Sequence, residues 1–326
     1  MSNRIFIITL PRSGSTLLQR LLSGHPDIAT VTEPWFLLPL VYTMKEGGVY
    51  AEYSAQSVTT AVQDLITKLP RKQEDYYAAI RLFADSLYDK LNSDQAKYFL
   101  DKTPRYYLII DELFAIYPDA KFIFLLRNPL AVYASIIKSF NRGRLGVRRH
   151  RIDAFRGPVL LAAGYEKYRS QSLPVHFEDL ATRPSEELQK IYAYLGVEFK
   201  DTSLDLDNHH LQGKMGDQHG TRQYKTVEQT TVDKWKQTFG TRYRKSHALK
   251  YLGFLGPQVF ETLGYNFCHL ESEIRGIEGS WRGFVLDSLD YNLNYLATLC
   301  EWPLVRRKLI RELKLKSEGG VNTLFS

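Results

Sequence analysis

The chain has 326 residues, of which 44% are hydrophobic and 24% are charged, and its formal net charge is +7. This composition supplies enough apolar residues for a sizeable core, so we expect one α/β domain with a C-terminal extension. The small positive excess suits anionic ligands but is far from that of a nucleic-acid-binding tail, so we expect no nucleic acid among the partners.

The N-terminal residues lead directly into an apolar strand, and the features of a secretory signal peptide are missing from them. No apolar run in the sequence reaches the length that spans a membrane. The two cysteines, Cys268 and Cys300, form no CxxC pair and have no histidine at metal-binding spacing. We therefore expect a cytoplasmic protein, or a domain of a larger chain, without a disulfide framework or a zinc site.

The first predicted elements are a strand over residues 4–10, the turn PRSGST and a helix over residues 15–23 that ends at Gly24. A short second strand precedes the segment TVTEPWFLLPL, which we interpret as a loop. Amphipathic helices are predicted over residues 57–69 and 75–91, because apolar residues recur there at helical spacing. The segment KYFLDKTPRY predicts a short third strand that ends in a turn.

Strands continue to alternate with helices in the middle of the chain. In order, the pattern predicts a helix over 107–117, the strand AKFIFLLRNP, helices over 129–140 and 153–169, the strand LPVHF and one helix DLATRPSEELQKIYAYLG. A long polar segment over residues 201–231 follows, and helices return at TVDKWKQTF. This alternation predicts a parallel sheet with helices on both faces, whose ligands bind beyond the carboxyl ends of the strands.

The turn PRSGST has the chemistry of an anion-binding loop. Gly14 allows a tight turn and a close approach of the backbone to a ligand. The first amides of the following helix carry the positive end of its dipole. Arg12 adds a charged, forked donor, and hydroxyls come from Ser13, Ser15 and Thr16. We predict that these five residues bind an anion; the simpler alternative is a strand-to-helix turn capped by its serine.

A second candidate anion site follows the most apolar strand. Arg127 stands at the end of this strand, and Ser135 follows eight residues later in the next predicted helix. The alternative is a solvated arginine and a surface serine. Two anion sites at neighbouring strand ends predict a nucleotide with phosphate at both ends of its ribose. Arg127 occupies the place where an aspartate would hold Mg²⁺, so we expect a reaction that requires no metal.

With these motifs, the chain resembles sulfotransferases that use 3′-phosphoadenosine 5′-phosphosulfate (PAPS), especially their bacterial, carbohydrate and tyrosylprotein branches. PRSGSTLL resembles the family's 5′-phosphosulfate loop, and RNPLAVYAS resembles its 3′-phosphate motif, with Arg127 and Ser135 at matching spacing. LPVHFEDLATRPSEELQKIYAYLG resembles the strand and helix that follow. The resemblance covers roughly residues 4–265.

The resemblance implies a P-loop NTPase-like three-layer α/β fold and a reaction that moves a sulfuryl group from PAPS to an acceptor hydroxyl. The nucleotide product would be adenosine 3′,5′-bisphosphate. The acceptor is expected to be a small molecule or a glycan, with the hydroxyl on a carbohydrate, a glycolipid or a secondary metabolite. Two other classes stay open: a P-loop nucleotide kinase that uses ATP and Mg²⁺, and a nucleotide-binding module without catalysis.

The resemblance also implies catalytic roles for three residues. Lys102 follows a strand in DKTPRY, like a catalytic lysine of the tyrosylprotein branch, and with Arg12 it would neutralise the leaving group. Its alternative is a surface lysine. Glu33 lies eight residues after His25, like that branch's catalytic glutamate, and would act as the general base. The alternative to a role as general base is that Glu33 orients Arg12 through a salt bridge.

Histidines are weaker candidates for the base than the glutamate. His25 is expected to cap the turn after the first helix, and His176 is expected to be a histidine of the core. The long polar segment contains His209, His210 and His219, and by closing over the site it could deliver one of them.

Some residues that contact the nucleotide in the family are replaced or missing in this sequence. Phe177 stands where the tyrosylprotein branch has tyrosine, so a hydroxyl contact is lost. Lys234, in the segment DKW, resembles a late Lys-Trp pair near the cofactor. The Arg-Lys-Gly motif of many cytosolic members is absent, and Arg222 or Lys225 would replace it.

Residues 268–326 lie beyond the resemblance, so we divide the chain into a catalytic domain, residues 1–267, and a C-terminal helical extension. The segments WRGFVLDSLDYNLNYLATLCEWPL and VRRKLIRELKLK have apolar residues at helical spacing. We favour two helices packed on the domain with their basic residues solvated. The alternatives are a homodimer contact and a peripheral contact with anionic lipid. The basic loop NRGRLGVRRHR has the same alternatives, with binding of an acidic acceptor as a third.

Overall fold

The computed structural model describes residues 3–49, 53–92, 95–147, 150–200, 232–281 and 283–299. Five strands in this part of the chain form a parallel sheet in the order β2-β3-β1-β4-β5. These strands are β1 (Asn3–Ile8), β2 (Ile28–Thr30), β3 (Tyr98–Asp101), β4 (Lys121–Leu126) and β5 (Ser172–His176). Because all five run in the same direction, the loops that follow them emerge together at one border of the sheet, the carboxyl edge.

The helices lie between and after the strands. The first nine are α1 (Ser15–Ser23), α2 (Leu37–Tyr42), α3 (Ala55–Lys68), α4 (Gln73–Leu91), α5 (Ile110–Ile116), α6 (Pro129–Ser139), α7 (Gly157–Tyr168), α8 (Phe177–Thr182) and α9 (Pro184–Leu195). The last four are α10 (Trp235–Thr238), α11 (Arg242–Thr262), α12 (Phe267–Gly276) and α13 (Phe284–Leu299).

Both faces of the sheet are covered by helices. Alternate side chains of β1 point to opposite faces, so Phe6 and Ile8 enter one apolar core while Ile5 and Ile7 enter the other. The first core lies beneath α2, α4, α5, α6, α7 and α11, and the second lies beneath α1, α8 and α9. The predicted three-layer α/β fold with a central parallel sheet is therefore confirmed.

Two predicted elements differ from the structure near prolines. The end of the segment interpreted as a loop is the start of α2, which tolerates Pro39 because this residue falls in the first turn, where the missing N–H would have no helical partner. The long helix predicted after β5 is divided into α8 and α9. Arg183 takes φ −136° between them, because the residue before a proline is disfavoured in the α conformation.

Two helix starts were also wrong. The helix predicted over 107–117 begins as a 3₁₀ turn, Tyr106–Leu108, and Ile109 leaves the helical region before α5 starts. The hydroxyls of Tyr106 and Tyr107 bind two different buried carboxylates, which fixes the direction of this turn. The helix predicted from residue 153 opens with a π turn, Ile152–Arg156. Within the described part of TVDKWKQTF, residues 232–239, only α10 is helical.

The C-terminal helices pack on the rest of the described chain. The rings of Phe260 in α11 and Phe267 in α12 lie 5.9 Å apart, and Arg244 of α11 pairs with Asp287 of α13 at 2.7 Å. The division of the chain at residue 267 stays a prediction. Among the described residues, no helix has both the length and the apolar character to cross a bilayer.

The contact between α5 and α7 yields a test of the packing. A methyl group at Gly164 would lie 2.3 Å from Cδ1 of Ile110, whereas one at Gly253 in α11 would meet nothing within 4 Å. We expect Gly164→Ala to lower the free energy of unfolding by about 1–3 kcal/mol. Gly253→Ala should raise it by roughly 0.5–1 kcal/mol, since alanine favours a helix. Urea unfolding measures both, and equal effects would contradict the described contact.

Candidate active site

The loop after β1 has unused hydrogen-bonding capacity. Gly14 is the N-cap of α1 with φ 89°, and no side chain caps this helix. In the described part of the chain, the hydroxyls of Ser13, Ser15 and Thr16 have no hydrogen-bond partner. A helix N-terminus with exposed amides and nearby hydroxyls favours an anion. The five residues predicted to form an anion site therefore have the chemistry to do so.

The Arg12 side chain connects this loop to the second predicted anion site. Its Nε donates to Oγ of Ser135 at 3.3 Å, and its Nη2 donates to Oγ of Ser139 at 3.2 Å. The guanidinium also lies 5.4 Å from the ring centre of Phe140. The two anion sites, predicted to be separate, thus meet along α6. Ser139 was not predicted, although its position one helical turn after Ser135 could have indicated it.

Arg127 supports the loop from the neighbouring strand. Its Nη1 donates to the carbonyl oxygen of Arg12 at 2.8 Å, and its guanidinium stacks 4.0 Å from the ring centre of Phe177. Phe177 is only 1% exposed, and a methyl group at Gly14 would lie 2.3 Å from its ring. The ring therefore packs against both the loop and Arg127. The two arginines are adjacent at the carboxyl edge, so a single nucleotide could contact both.

Glu33 and Lys102 form a buried ion pair on the other side of β1. Lys102 Nζ lies 2.6 Å from Glu33 Oε1, and the two side chains are 1% and 9% exposed. Lys102 is therefore not a surface lysine. Among the contacts of the described residues, Glu33 pairs with Lys102, whereas the alternative supposed a salt bridge to Arg12. Burying two charges is costly unless each is paired and hydrogen-bonded, so this pair constrains the residues around it.

Trp35 holds the second oxygen of Glu33. Its indole Nε1 donates to Glu33 Oε2 at 3.0 Å, and the Arg105 guanidinium lies 5.9 Å from its ring centre. Arg105 in turn binds Asp153 through two hydrogen bonds of 2.9 and 2.7 Å. Trp35 takes φ 62°, a strained conformation for a bulky residue. These residues were not predicted, because Asp153 is distant in sequence from the residues that it holds in place.

A buried carboxylate lies directly before Lys102. Asp101 accepts hydrogen bonds from the hydroxyls of Tyr88, Tyr106 and Thr103. Burial raises the pKa of Asp101 to about 6, although these hydrogen bonds and the charge of Lys102 act in the opposite direction. The same burial, with the neighbouring carboxylate, raises the pKa of both tyrosines. This cluster fixes the end of β3 and thereby the position of Lys102.

The remaining predicted residues fall into two groups. His25 accepts from the Asp27 amide at 3.1 Å and also contacts the Glu198 carbonyl, so it stabilises the turn after α1 as expected. His176 packs against the Tyr265 ring. Lys234 lies in the turn before α10. The other group lies outside the described residues: Arg222, Lys225, His209, His210 and His219.

Known proteins share this chain's sequence pattern. A profile described as "Sulfotransferase family" matches residues 4–201. The nodulation protein NoeE of Sinorhizobium fredii is 28% identical in an alignment of 286 positions that covers 80% of this chain and 65% of NoeE. Protein-tyrosine sulfotransferase 2 of Gallus gallus is 26% identical over 226 positions, covering 65% of this chain and 55% of that protein. The chain thus spans between about half and two thirds of these relatives.

A solved structure shares the fold. The sulfotransferase domain from the curacin biosynthetic pathway superimposes with a TM-score of 0.51 at 21% sequence identity, covering 78% of this chain and 98% of that domain. At this identity the likeness concerns the α/β architecture alone.

The raised pKa of Asp101 predicts a pH-dependent stability. Between about pH 4 and pH 6 the folded protein keeps the Asp101 proton while the unfolded chain releases it, so the free energy of unfolding falls as the pH rises through this window. The shift from 3.8 to about 6 corresponds to roughly 3 kcal/mol. We expect Asp101→Asn to lose this slope, which urea unfolding at several pH values measures. The exposed Asp64→Asn is the control, and identical slopes in Asp101→Asn and wild type would refute the assignment.

Proposed function

We propose, from the premise that this chain belongs to the sulfotransferase family, that it transfers a sulfuryl group from PAPS to an acceptor hydroxyl. The observation that carries the proposal is the buried pair of Glu33 and Lys102, which lies 2.6 Å apart at the carboxyl edge. It combines a base and a cation in one water-poor place beside the anion loop. An in-line transfer to a hydroxyl needs both groups.

The residues at the loop fit the donor nucleotide. The 5′ end would lie against the amides of α1 and the hydroxyls of Ser13, Ser15 and Thr16, which have no other hydrogen-bond partner among the described residues. The 3′-phosphate would lie against Arg127 and Ser135, and the Arg12 guanidinium already contacts this serine. When bound, PAPS supplies a sulfuryl group whose departure leaves negative charge on the bridging phosphate oxygen.

Side chains of this protein would supply the general base, the cation that neutralises the leaving group, and the group that orients the base. The Glu33 carboxylate, which pairs with Lys102, can accept the proton of the acceptor hydroxyl as the oxygen–sulfur bond forms. The Lys102 ammonium can neutralise the bridging oxygen as the old sulfur–oxygen bond breaks. Trp35 keeps the carboxylate oriented through its indole N–H. The products are the sulfated acceptor and adenosine 3′,5′-bisphosphate.

The acceptor class is proposed from the resemblance, because the names of the relatives do not specify it. One relative is named for nodulation and another for sulfation of protein tyrosine. We propose a hydroxyl on a carbohydrate, a glycolipid or a secondary metabolite. The kinase alternative predicts ATP and Mg²⁺ binding, and the binding-module alternative predicts nucleotide binding without turnover on any acceptor.

Nucleotide binding discriminates between the donors. We expect isothermal calorimetry to show binding of adenosine 3′,5′-bisphosphate, and much weaker binding of ATP with Mg²⁺. Ser135→Ala should weaken the first by about 10- to 100-fold, since it removes a hydrogen bond to a charged group. Ser86→Ala, on the remote and exposed part of α4, is the matched control. Tighter binding of ATP with Mg²⁺ would favour a kinase.

Turnover tests the two catalytic residues. With labelled PAPS and an acceptor panel, Glu33→Gln and Lys102→Ala should each lower kcat by about 10²- to 10⁴-fold while the affinity for adenosine 3′,5′-bisphosphate stays within a few-fold of wild type. Unchanged turnover in both variants would remove the assignment.

A single change leaves one buried charge unpaired and costs about 3–5 kcal/mol, so these variants could unfold. The double variant Glu33→Gln/Lys102→Met removes both charges and serves as the folded control, which thermal unfolding verifies. A folded double variant with wild-type turnover would refute the mechanism independently of the single variants.

A further inference from the structure

Helix α13 is attached to the rest of the protein through polar side chains. Asp287 pairs with Arg244 through two hydrogen bonds of 2.7 Å, and Asp290 accepts from the Gly146 amide at 3.0 Å. The Tyr291 ring lies 4.6 Å from that of His247. A surface helix usually buries its apolar side and exposes its polar side. This helix does the reverse.

The opposite side of α13 exposes a row of aliphatic residues, which we call the α13 face. Their exposed fractions run from 54% to 74%: Val285 67%, Leu286 74%, Leu289 54%, Leu293 64% and Leu296 55%. Trp281, just before the helix, is 64% exposed. A contiguous apolar surface of this kind marks an interaction site.

Positive charges border the α13 face. The Arg242 guanidinium lies 4.4 Å from the Trp281 ring centre. Arg142 and Arg144 are exposed on the loop after α6, and α11 and α13 hold this loop through the Gly143 carbonyl and the Gly146 amide. Across the residues that the structure describes, none of these three arginines has a carboxylate partner. The Trp281 end of the apolar surface is therefore bordered by the Arg242 guanidinium, and the loop with Arg142 and Arg144 is anchored to the same helix.

The sequence after α13 adds more charge of the same sign. Residues 304–316 contain six basic residues and one acidic residue: Arg306, Arg307, Lys308, Arg311, Lys314 and Lys316, against Glu312. Basic residues near a membrane surface are attracted to anionic lipid by about 1 kcal/mol each. Apolar insertion and electrostatic attraction together give stable peripheral binding, which either alone does not.

A second copy of this chain fits the α13 face less well. Leu286, Leu289, Leu293 and Leu296 follow a heptad spacing over about two heptads of the described helix. Heptads indicate a coiled coil when they are sustained over three to four repeats, so the described part of α13 does not carry that signal. Anionic lipid instead matches both the apolar row and its basic border.

We propose that the α13 face binds an anionic membrane surface, with the leucines in the lipid interface and the flanking arginines against phosphate groups. The loop that carries Arg142 and Arg144 follows α6 directly, and α6 carries Ser135. Docking through this face would therefore bring the candidate active site close to the membrane. The proposal does not depend on the sulfuryl transfer proposed above.

Vesicle co-sedimentation of the full chain tests this proposal. We expect binding to vesicles of phosphatidylcholine mixed with phosphatidylglycerol, little binding to phosphatidylcholine alone, and weaker binding as salt increases. The triple variant Leu286→Ser/Leu289→Ser/Leu293→Ser should bind at least about tenfold more weakly, because it removes most of the inserted apolar surface. The matched control is Leu65→Ser/Leu82→Ser, which changes exposed leucines of α3 and α4. Thermal unfolding verifies that both variants fold.

Three results would overturn the proposal. The first is equal vesicle binding by the wild type and the triple variant, or binding by neither. The second is a wild-type dimer in light scattering that the triple variant converts to a monomer, because then a second copy covers the face. The third is vesicle binding that appears only after removal of residues 300–326, because then the chain's own terminus covers it.

Discussion

The candidate site depends on one physical constraint, the burial of opposite charges on Glu33 and Lys102. Removing a charged group from water costs several kcal/mol, and an ion pair offsets this only with good geometry and additional hydrogen bonds. The structure supplies these conditions: the pair is 2.6 Å apart, the Trp35 indole binds the second carboxylate oxygen, and the tyrosines around Asp101 fix the strand end before Lys102. The residues around Glu33 and Lys102 therefore hold this ion pair in position.

The sheet brings the pair and the anion loop to one edge. β1 lies between β3, which ends just before Lys102, and β4, which ends just before Arg127. The loop after β1 therefore has a lysine on one side and an arginine on the other. Arg127 also donates a hydrogen bond to the carbonyl oxygen of Arg12. The residue that follows β4 therefore fixes the backbone conformation of the loop and also adds a positive charge beside it. A doubly phosphorylated nucleotide suits this arrangement, because cations are available at both of its ends.

Much of this could be predicted from local sequence. The alternation of apolar strands and helices predicted the layer architecture, which is confirmed, and PRSGST with Arg127 and Ser135 predicted two anion sites at neighbouring strand ends, which stays a prediction. The direction of the Arg12 side chain was not predictable, because it depends on a left-handed backbone at φ 72° and on a helix more than a hundred residues away. The support of Trp35 by Arg105 and Asp153 was missed for a similar reason, since tertiary packing alone brings them together.

The contact between Gly14 and Phe177 restricts how this protein can diverge. A side chain at position 14 would be strained by φ 89° and would also need a smaller residue at position 177, because its Cβ would lie 2.3 Å from the Phe177 ring. A smaller residue at 177 would leave the Arg127 guanidinium without the ring on which it stacks. Positions 14, 127 and 177 are thus expected to be inherited as a set. Homologues that differ at one of these positions should also differ at the other two. In a mutant library that randomises one of these positions at a time, most variants should lose these contacts.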